Sequence, residues 1–74
     1  MIYCVKFDAV VNHLRSQGFE RHEQIGETVI FVKDDEDLTL HAPNVNGDVP
    51  EALVNDALDN AGLPVPSWTV FWCD

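Results

Sequence analysis

The stretch ETVIFVKDDEDLTLHA, residues 27–42, decides the fold because it places two β-prone runs on either side of an acidic cluster. Residues 27–33 are rich in β-branched and aromatic side chains, which favour strands. The cluster at 34–37 is too polar to bury and is typical of a turn. Residues 38–42 follow as the next strand. The stretch therefore predicts two antiparallel strands joined at the acidic cluster.

The residues before this stretch add a third strand and a helix. In residues 19–25, Phe19, Arg21, Glu23 and Ile25 alternate with polar neighbours, which predicts a strand. Gly26 then supplies a turn into the strand at 27–33. Upstream, apolar residues at helical spacing predict a first helix over 8–17, with Asp8 near its start and Gly18 just past its end. The residues that define this spacing are Phe7, Val10, Val11 and Leu14. Residues 1–6 are a weak candidate for an edge strand, or else the lead-in to the helix.

The residues after the stretch predict a loop, a second helix and a terminal strand. Pro43 to Gly47 is the loop, and Asp48-Val49-Pro50-Glu51 has the acid, proline and acid that start a helix. Its expected buried stripe is Val49, Leu53, Val54, Ala57, Leu58 and Ala61, and the helix stops at Gly62 and Pro64. The tail, residues 65–73, has a period of two with both faces apolar, so it either covers the core or contributes to a partner surface. Core or extra strand is the favoured interpretation.

Length and composition predict one domain over residues 1–74. So short a chain buries only about three-fifths of its extended surface, which leaves room for a single core. The 46% of apolar residues is a globular composition. No run is long enough to cross a bilayer and no secretory signal is recognisable, so we expect a cytoplasmic protein. In that compartment Cys4 and Cys73 are expected to be free thiols, unless terminal strands bring them within disulfide distance.

The charge is distributed unevenly along the chain. Thirteen Asp and Glu oppose four Lys and Arg, which gives a formal net charge of −9. Residues 1–33 sum to zero, whereas residues 34–74 carry acids and no base. Such a surface repels phosphate backbones, so direct binding of nucleic acid is not expected. Solubility or adaptation to salt is the alternative explanation of the acidity.

The predicted order of helix, three strands and helix is the α-β-β-β-α arrangement of a double-stranded-RNA-binding-like (dsRBD-like) fold. Within it, residues 8–63 resemble the HicA (YcfA-like) mRNA interferase family. Three stretches carry the resemblance: residues 14–20 (LRSQGFE), residues 26–31 (GETVIF), and the second helix from DVPEAL at 48–53 to NAGL at 60–63. The resemblance implies an α+β fold with a three-stranded antiparallel sheet, two helices on one of its faces and possible extra terminal strands.

The departures from the HicA pattern concern catalysis. HicA-type enzymes are understood to cut RNA with the histidine of a Gly-Ser-His motif on a basic face, and the matching position here is Thr28. A threonine cannot exchange a proton near neutral pH as an imidazole can. The resemblance therefore implies a divergent member that has lost both its catalytic histidine and its grip on RNA.

The remaining titratable residues give only weak candidates for chemistry. His13 is expected on the solvent side of the first helix, while His22 and His41 lie on different strands and would make a relocated acid and base pair only if they faced each other. Unrelated imidazoles are the favoured interpretation. The acidic cluster at 34–37 lacks the spacing and central glycine of a calcium loop, so we predict no metal site and no cofactor.

The acids taken together give the favoured functional hypothesis. They are predicted to form a negative stripe on one hairpin tip and one helix face, and Trp68 and Trp72 are added as aromatic contacts. The full predicted partner-binding set is Asp34, Asp35, Glu36, Asp37, Asp48, Glu51, Asp56, Asp59, Trp68 and Trp72. Such a stripe suits a basic protein or ribonucleoprotein complex. We therefore expect a non-enzymatic inhibitor that imitates nucleic acid, similar in size and charge to phage anti-defence and anti-CRISPR proteins. The alternative is a HicA-type toxin of a toxin–antitoxin pair that uses a displaced histidine.

Overall fold

The computed structural model of this chain describes residues 2–42 and 47–73. In chain order its elements are β1 (Ile2–Lys6), α1 (Phe7–Ser16), β2 (Glu20–Ile25), β3 (Thr28–Lys33), β4 (Glu36–His41), β5 (Asp48–Pro50), α2 (Glu51–Asn60) and β6 (Phe71–Cys73). The predicted loop at 43–47 lies outside the described residues except for Gly47, whose carbonyl accepts the Phe7 N–H at 2.8 Å. The α+β class and the α-β-β-β-α order with extra terminal strands are confirmed.

The three-stranded antiparallel sheet has the order β2-β3-β4, as the sequence predicts. The first hairpin closes where Ile25 pairs with Thr28, around Gly26. The second closes where Lys33 pairs with Glu36. The predicted turn at 34–37 is too long, since only Asp34 and Asp35 form it, and β4 begins at Glu36. Asp34 has a φ of 52°, a left-handed conformation that Asp tolerates better than most residues.

One face of this sheet carries the core. Alternate residues of β3 and β4 point into it and meet apolar side chains from both helices. The core cluster consists of Val5, Phe7, Val10, Leu14, Phe19, Val29, Phe31, Leu38, Leu40, Ala42, Val49, Val54 and Leu58. From α2, only Val54 and Leu58 are fully buried, whereas Leu53 and Ala61 of the predicted stripe lie exposed. The buried side of α2 is therefore narrower than its sequence indicates.

A second antiparallel sheet has the order β5-β1-β6 and joins both ends of the chain. A strand before α1 is confirmed, but the expectation of an edge strand is wrong, because β1 is the central strand of this sheet and pairs on both sides. Residues 48–50, predicted to start the second helix, instead form β5, in which Val49 pairs with Val5 and is 0% exposed. Burial of this valine against β1 explains why the segment is extended, and α2 starts only at Glu51.

The C-terminal tail is a strand over a shorter length than predicted. Only Phe71–Cys73 pairs with β1, while 63–70 runs without regular structure. Pro64 and Pro66 lack the N–H that a strand needs for its ladder. Cys4 and Cys73 lie 5.8 Å apart between Cα atoms and form a disulfide, so the expectation of free thiols is wrong.

Candidate partner-binding surface

The acidic residues at the β3–β4 turn form an exposed tip. Asp34, Asp35, Glu36 and Asp37 are all exposed. Asp37, at the base of the tip, shares a shallow cavity of about 150 Å³ with Asn60 and neighbouring residues at the C-terminal end of α2. The hairpin tip and the last turn of α2 are therefore neighbours. We call the tip residues 34–37, together with Asp56 and Asp59, the acidic surface.

Asp56 and Asp59 are exposed on α2 and lie three residues apart, which separates their Cβ atoms by about 5–6 Å. The other two predicted acids, Asp48 and Glu51, lie at the opposite end of α2. A helix of ten residues is about 15 Å long, so the predicted stripe divides into two groups. Asp48 is also neutralised in part, because Lys6 Nζ lies 3.4 Å from its Oδ1.

No residue of the acidic surface forms an ion pair within the described residues, although Lys33 is the direct cross-strand neighbour of Glu36. The ion pairs there are Lys6 with Asp48 and His41 with Glu27, and neither involves a residue of 34–37, Asp56 or Asp59. Glu51 likewise has no ion pair among the residues that the structure describes.

The basic side chains are instead placed over aromatic rings. Lys6 Nζ lies 4.9 Å from the Phe71 ring centre and Lys33 Nζ lies 5.9 Å from that of Phe19. The Arg21 guanidinium lies 5.3 Å from the centre of the Phe7 ring. These are cation–π distances. Three of the four cationic side chains of the chain thus lie over aromatic rings, and none of the three forms an ion pair with the acidic surface.

Of the two tryptophans, Trp68 is held inside the fold. It packs against the core, its Nε1–H donates to Asn55 Oδ1 at 2.9 Å, and its ring meets the edge of His13 at 5.5 Å between ring centres. His13 is half-buried under the tail rather than free in solvent, and its Nε2 lies 3.0 Å from the Pro64 carbonyl oxygen. Trp68 therefore fixes the tail to both helices, and this structural role explains its position.

Trp72 belongs to a different surface, on β6. It is 56% exposed and stacks on Tyr3, with ring centres 4.4 Å apart and planes inclined by 15°. Sequence reasoning missed Tyr3 as a surface residue. The sequence signal for Tyr3 is weak, because residues 1–6 show little strand pattern and the pairing of Tyr3 with Trp72 joins residues 69 positions apart.

The histidines are not brought together as a pair. His22 is on β2 and His41 on β4, and β3 lies between these strands, which places two inter-strand spacings, about 10 Å, between them. Both are exposed. His41 is the direct cross-strand neighbour of Thr28, and its Nε2 lies 3.5 Å from Glu27 Oε2. His41 therefore lies beside Thr28, the residue that the sequence predicts to match the HicA histidine.

In 2–42 and 47–73 no cluster of three or more His, Cys, Asp or Glu is arranged to hold a metal ion. Within the same ranges no helix is long and apolar enough to span a membrane.

Comparisons with known proteins add no relationship. No protein-family model matches the chain, and neither the curated proteins nor the solved structures contain a match. The resemblance to the HicA family stays a prediction from the residues alone.

Proposed function

We propose that this protein is a non-enzymatic inhibitor that engages a basic nucleic-acid-binding protein or ribonucleoprotein complex by imitating nucleic acid. The role would be of the phage anti-defence or anti-CRISPR kind. The observation that carries the proposal is the absence of ion pairs on the acidic surface within the described residues, combined with the placement of Lys6, Arg21 and Lys33 over aromatic rings. An acidic surface without internal ion pairs is free to pair with the Lys and Arg of a partner.

The geometry favours a partner groove that normally tracks a phosphate backbone. The hairpin tip supplies consecutive carboxylates, and Asp56 and Asp59 continue the negative charge along α2. In water two like charges about 8 Å apart repel by about 0.5 kcal/mol, so each added acid lowers the stability of the unbound protein. The cations of a basic partner attract these carboxylates and offset their mutual repulsion, and this attraction is strongest at low ionic strength.

The test is charge reversal with a control of equal charge change. Asp35→Lys/Asp37→Lys alters the tip and spares Asp34, whose positive φ makes substitution risky. Glu20→Lys/Glu23→Lys makes the same change of four charges on exposed residues of β2. Tagged protein and both variants are used to capture partners from host cells at two salt concentrations, with identification by mass spectrometry. We expect the tip variant alone to lose a basic partner, and the wild-type complex to dissociate as salt rises.

Mimicry is then tested by competition. Duplex DNA or RNA added to the purified complex should release the inhibitor, because both ligands occupy the same basic groove. Simultaneous binding of nucleic acid and inhibitor, or equal capture by both variants, would contradict the proposal. The purified protein itself is expected to bind neither DNA nor RNA at physiological ionic strength.

A second candidate function is a HicA-type ribonuclease that uses a displaced histidine, within a toxin–antitoxin pair. The observation in its favour is the register that sets His41 directly opposite Thr28, since such residues share one face of a sheet with Cβ atoms about 5 Å apart. It predicts growth arrest on expression, relieved by His41→Ala and unaffected by His22→Ala. Harmless expression at high level would remove this candidate.

The proposed place of action is the cytoplasm, where nucleic-acid-binding complexes operate. The Cys4–Cys73 disulfide bears on this, because disulfides are rare in reducing compartments. Trapping of free thiols in freshly lysed cells, followed by mass measurement, shows whether the bond is present there. Complete oxidation in the cell would favour an oxidising compartment instead.

A further inference from the structure

The stacked pair Tyr3 and Trp72 is an exposed aromatic platform at one end of the small sheet. Tyr3 is 49% exposed, and Trp72 uses one ring face for the stack. By strand alternation Tyr3 lies on the same side of β1 as Val5, which is buried in the core. The platform is therefore the continuation of the core-facing side beyond the point where the core ends.

The charge around the platform indicates what covers it. The β1–β5 register ends at Cys4 and Pro50, and the next residue after Pro50 is Glu51, so a carboxylate begins α2 at the same end of the sheet as Tyr3. Lys6 lies on the opposite side of β1 by alternation, and it is already engaged by Asp48 and the Phe71 ring. A cation that approaches Trp72 is attracted by the net charge of −9 of the chain and meets no repelling base from β1.

A second copy of the chain is a poor occupant, because two bodies of charge −9 repel each other. We propose that the platform binds an arginine side chain of the basic partner, with the guanidinium stacked on Trp72. This inference rests on the proposed function and deepens it, since it names the side chain that the partner must present. Arginine suits the site better than lysine because its planar, weakly hydrated group stacks on an aromatic face.

The experiment measures the binding of two fluorescently labelled peptides of equal length, a Gly-Arg repeat and a Gly-Lys repeat, by anisotropy at low salt. The main variant is Trp72→Leu, which keeps an apolar side chain in β6 but removes the aromatic face. The matched control is Trp68→Phe, which changes the tryptophan that is fixed inside the fold. Circular dichroism and sedimentation check that each variant is folded and has the same oligomeric state as the wild type.

We expect Trp72→Leu to weaken binding of the Gly-Arg peptide about fivefold, which corresponds to the loss of one exposed cation–π contact. Binding of the Gly-Lys peptide should weaken less than about twofold. Trp68→Phe should change neither. Equal losses for both peptides, no loss, or a change of oligomeric state in Trp72→Leu would overturn the arginine site and leave the proposed function standing. Failure of both peptides to bind the wild type would overturn the proposed function, and the inference with it.

Discussion

The Cys4–Cys73 disulfide is expected to supply a large share of the stability of this domain. The bond closes a loop of 69 residues, almost the whole chain. In the chain-entropy description, closing such a loop in the unfolded state stabilises the folded state by about 4.4 kcal/mol at 25 °C. A domain of this length has a total free energy of unfolding of about 4–11 kcal/mol. Reduction should therefore remove at least about two-fifths of the stability, and it should unfold the protein if the total lies at the lower end of that range.

The assay is urea denaturation followed by tryptophan fluorescence, on the oxidised protein, the reduced protein and Cys4→Ala/Cys73→Ala. With a slope of roughly 1–2 kcal/mol per molar urea, the midpoint should fall by about 2–4 M on reduction. Reductant should have no further effect on the double variant, which controls for effects unrelated to the bond. If reduced and oxidised proteins differ by less than about 1 kcal/mol, the reasoning from loop closure is refuted.

Three further outcomes are expected in stability measurements. Trp68→Phe should cost about 1 kcal/mol in urea unfolding, because it removes the hydrogen bond to Asn55 but retains an aromatic ring, whereas Trp68→Ala should cost about 3 kcal/mol; equal costs would show that the hydrogen bond dominates. Gly18→Ala should destabilise more than Gly26→Ala by about 0.5–1 kcal/mol, since both glycines have positive φ but only Gly18 has the Lys33 stem 3.0 Å from the added carbon; equal effects would contradict this packing. An increase from low to high salt should raise the melting temperature of the wild type by about 5 °C, because screening relieves the repulsion among the acids. If calorimetry shows no rise, the acidic surface does not lower the stability of the protein.

The elements that the sequence predicts correctly are those that depend on local patterns. The first helix and the three-stranded sheet follow from apolar spacing and from the turn residues, and their core positions follow with them. The start of α2 could not be predicted in the same way, because Asp48, Pro50 and Glu51 have the composition of a helix start. Only the pairing of Val49 with Val5, which are 44 positions apart, makes the segment a strand.

The candidate surface was predictable in composition and less so in arrangement. The exposure of the tip and of Asp56 and Asp59 follows from their polarity. The division of the acids into two groups follows from the length of α2, whereas the Lys6–Asp48 pair depends on β5 and therefore on the same long-range pairing. Trp68 and Trp72 look equivalent in the sequence, yet one is bonded to Asn55 and the other is exposed on Tyr3. The two tryptophans differ in their surroundings because Trp68 lies in the segment 63–70, which has no regular structure, whereas Trp72 lies in β6.

The disulfide and the acidic surface are connected through the energetics of this small fold. The cations shield Phe7, Phe19 and Phe71 and so contribute to packing, which leaves the repulsion among the acids to be offset by other terms. The hydrophobic core of so short a chain has little stability to spare. The disulfide acts on the unfolded state and is insensitive to salt, whereas the repulsion is weakened by salt. A reduced protein should accordingly recover part of its lost stability in high salt, or when a cationic partner occupies the acidic surface, because either one relieves the repulsion that the disulfide had offset.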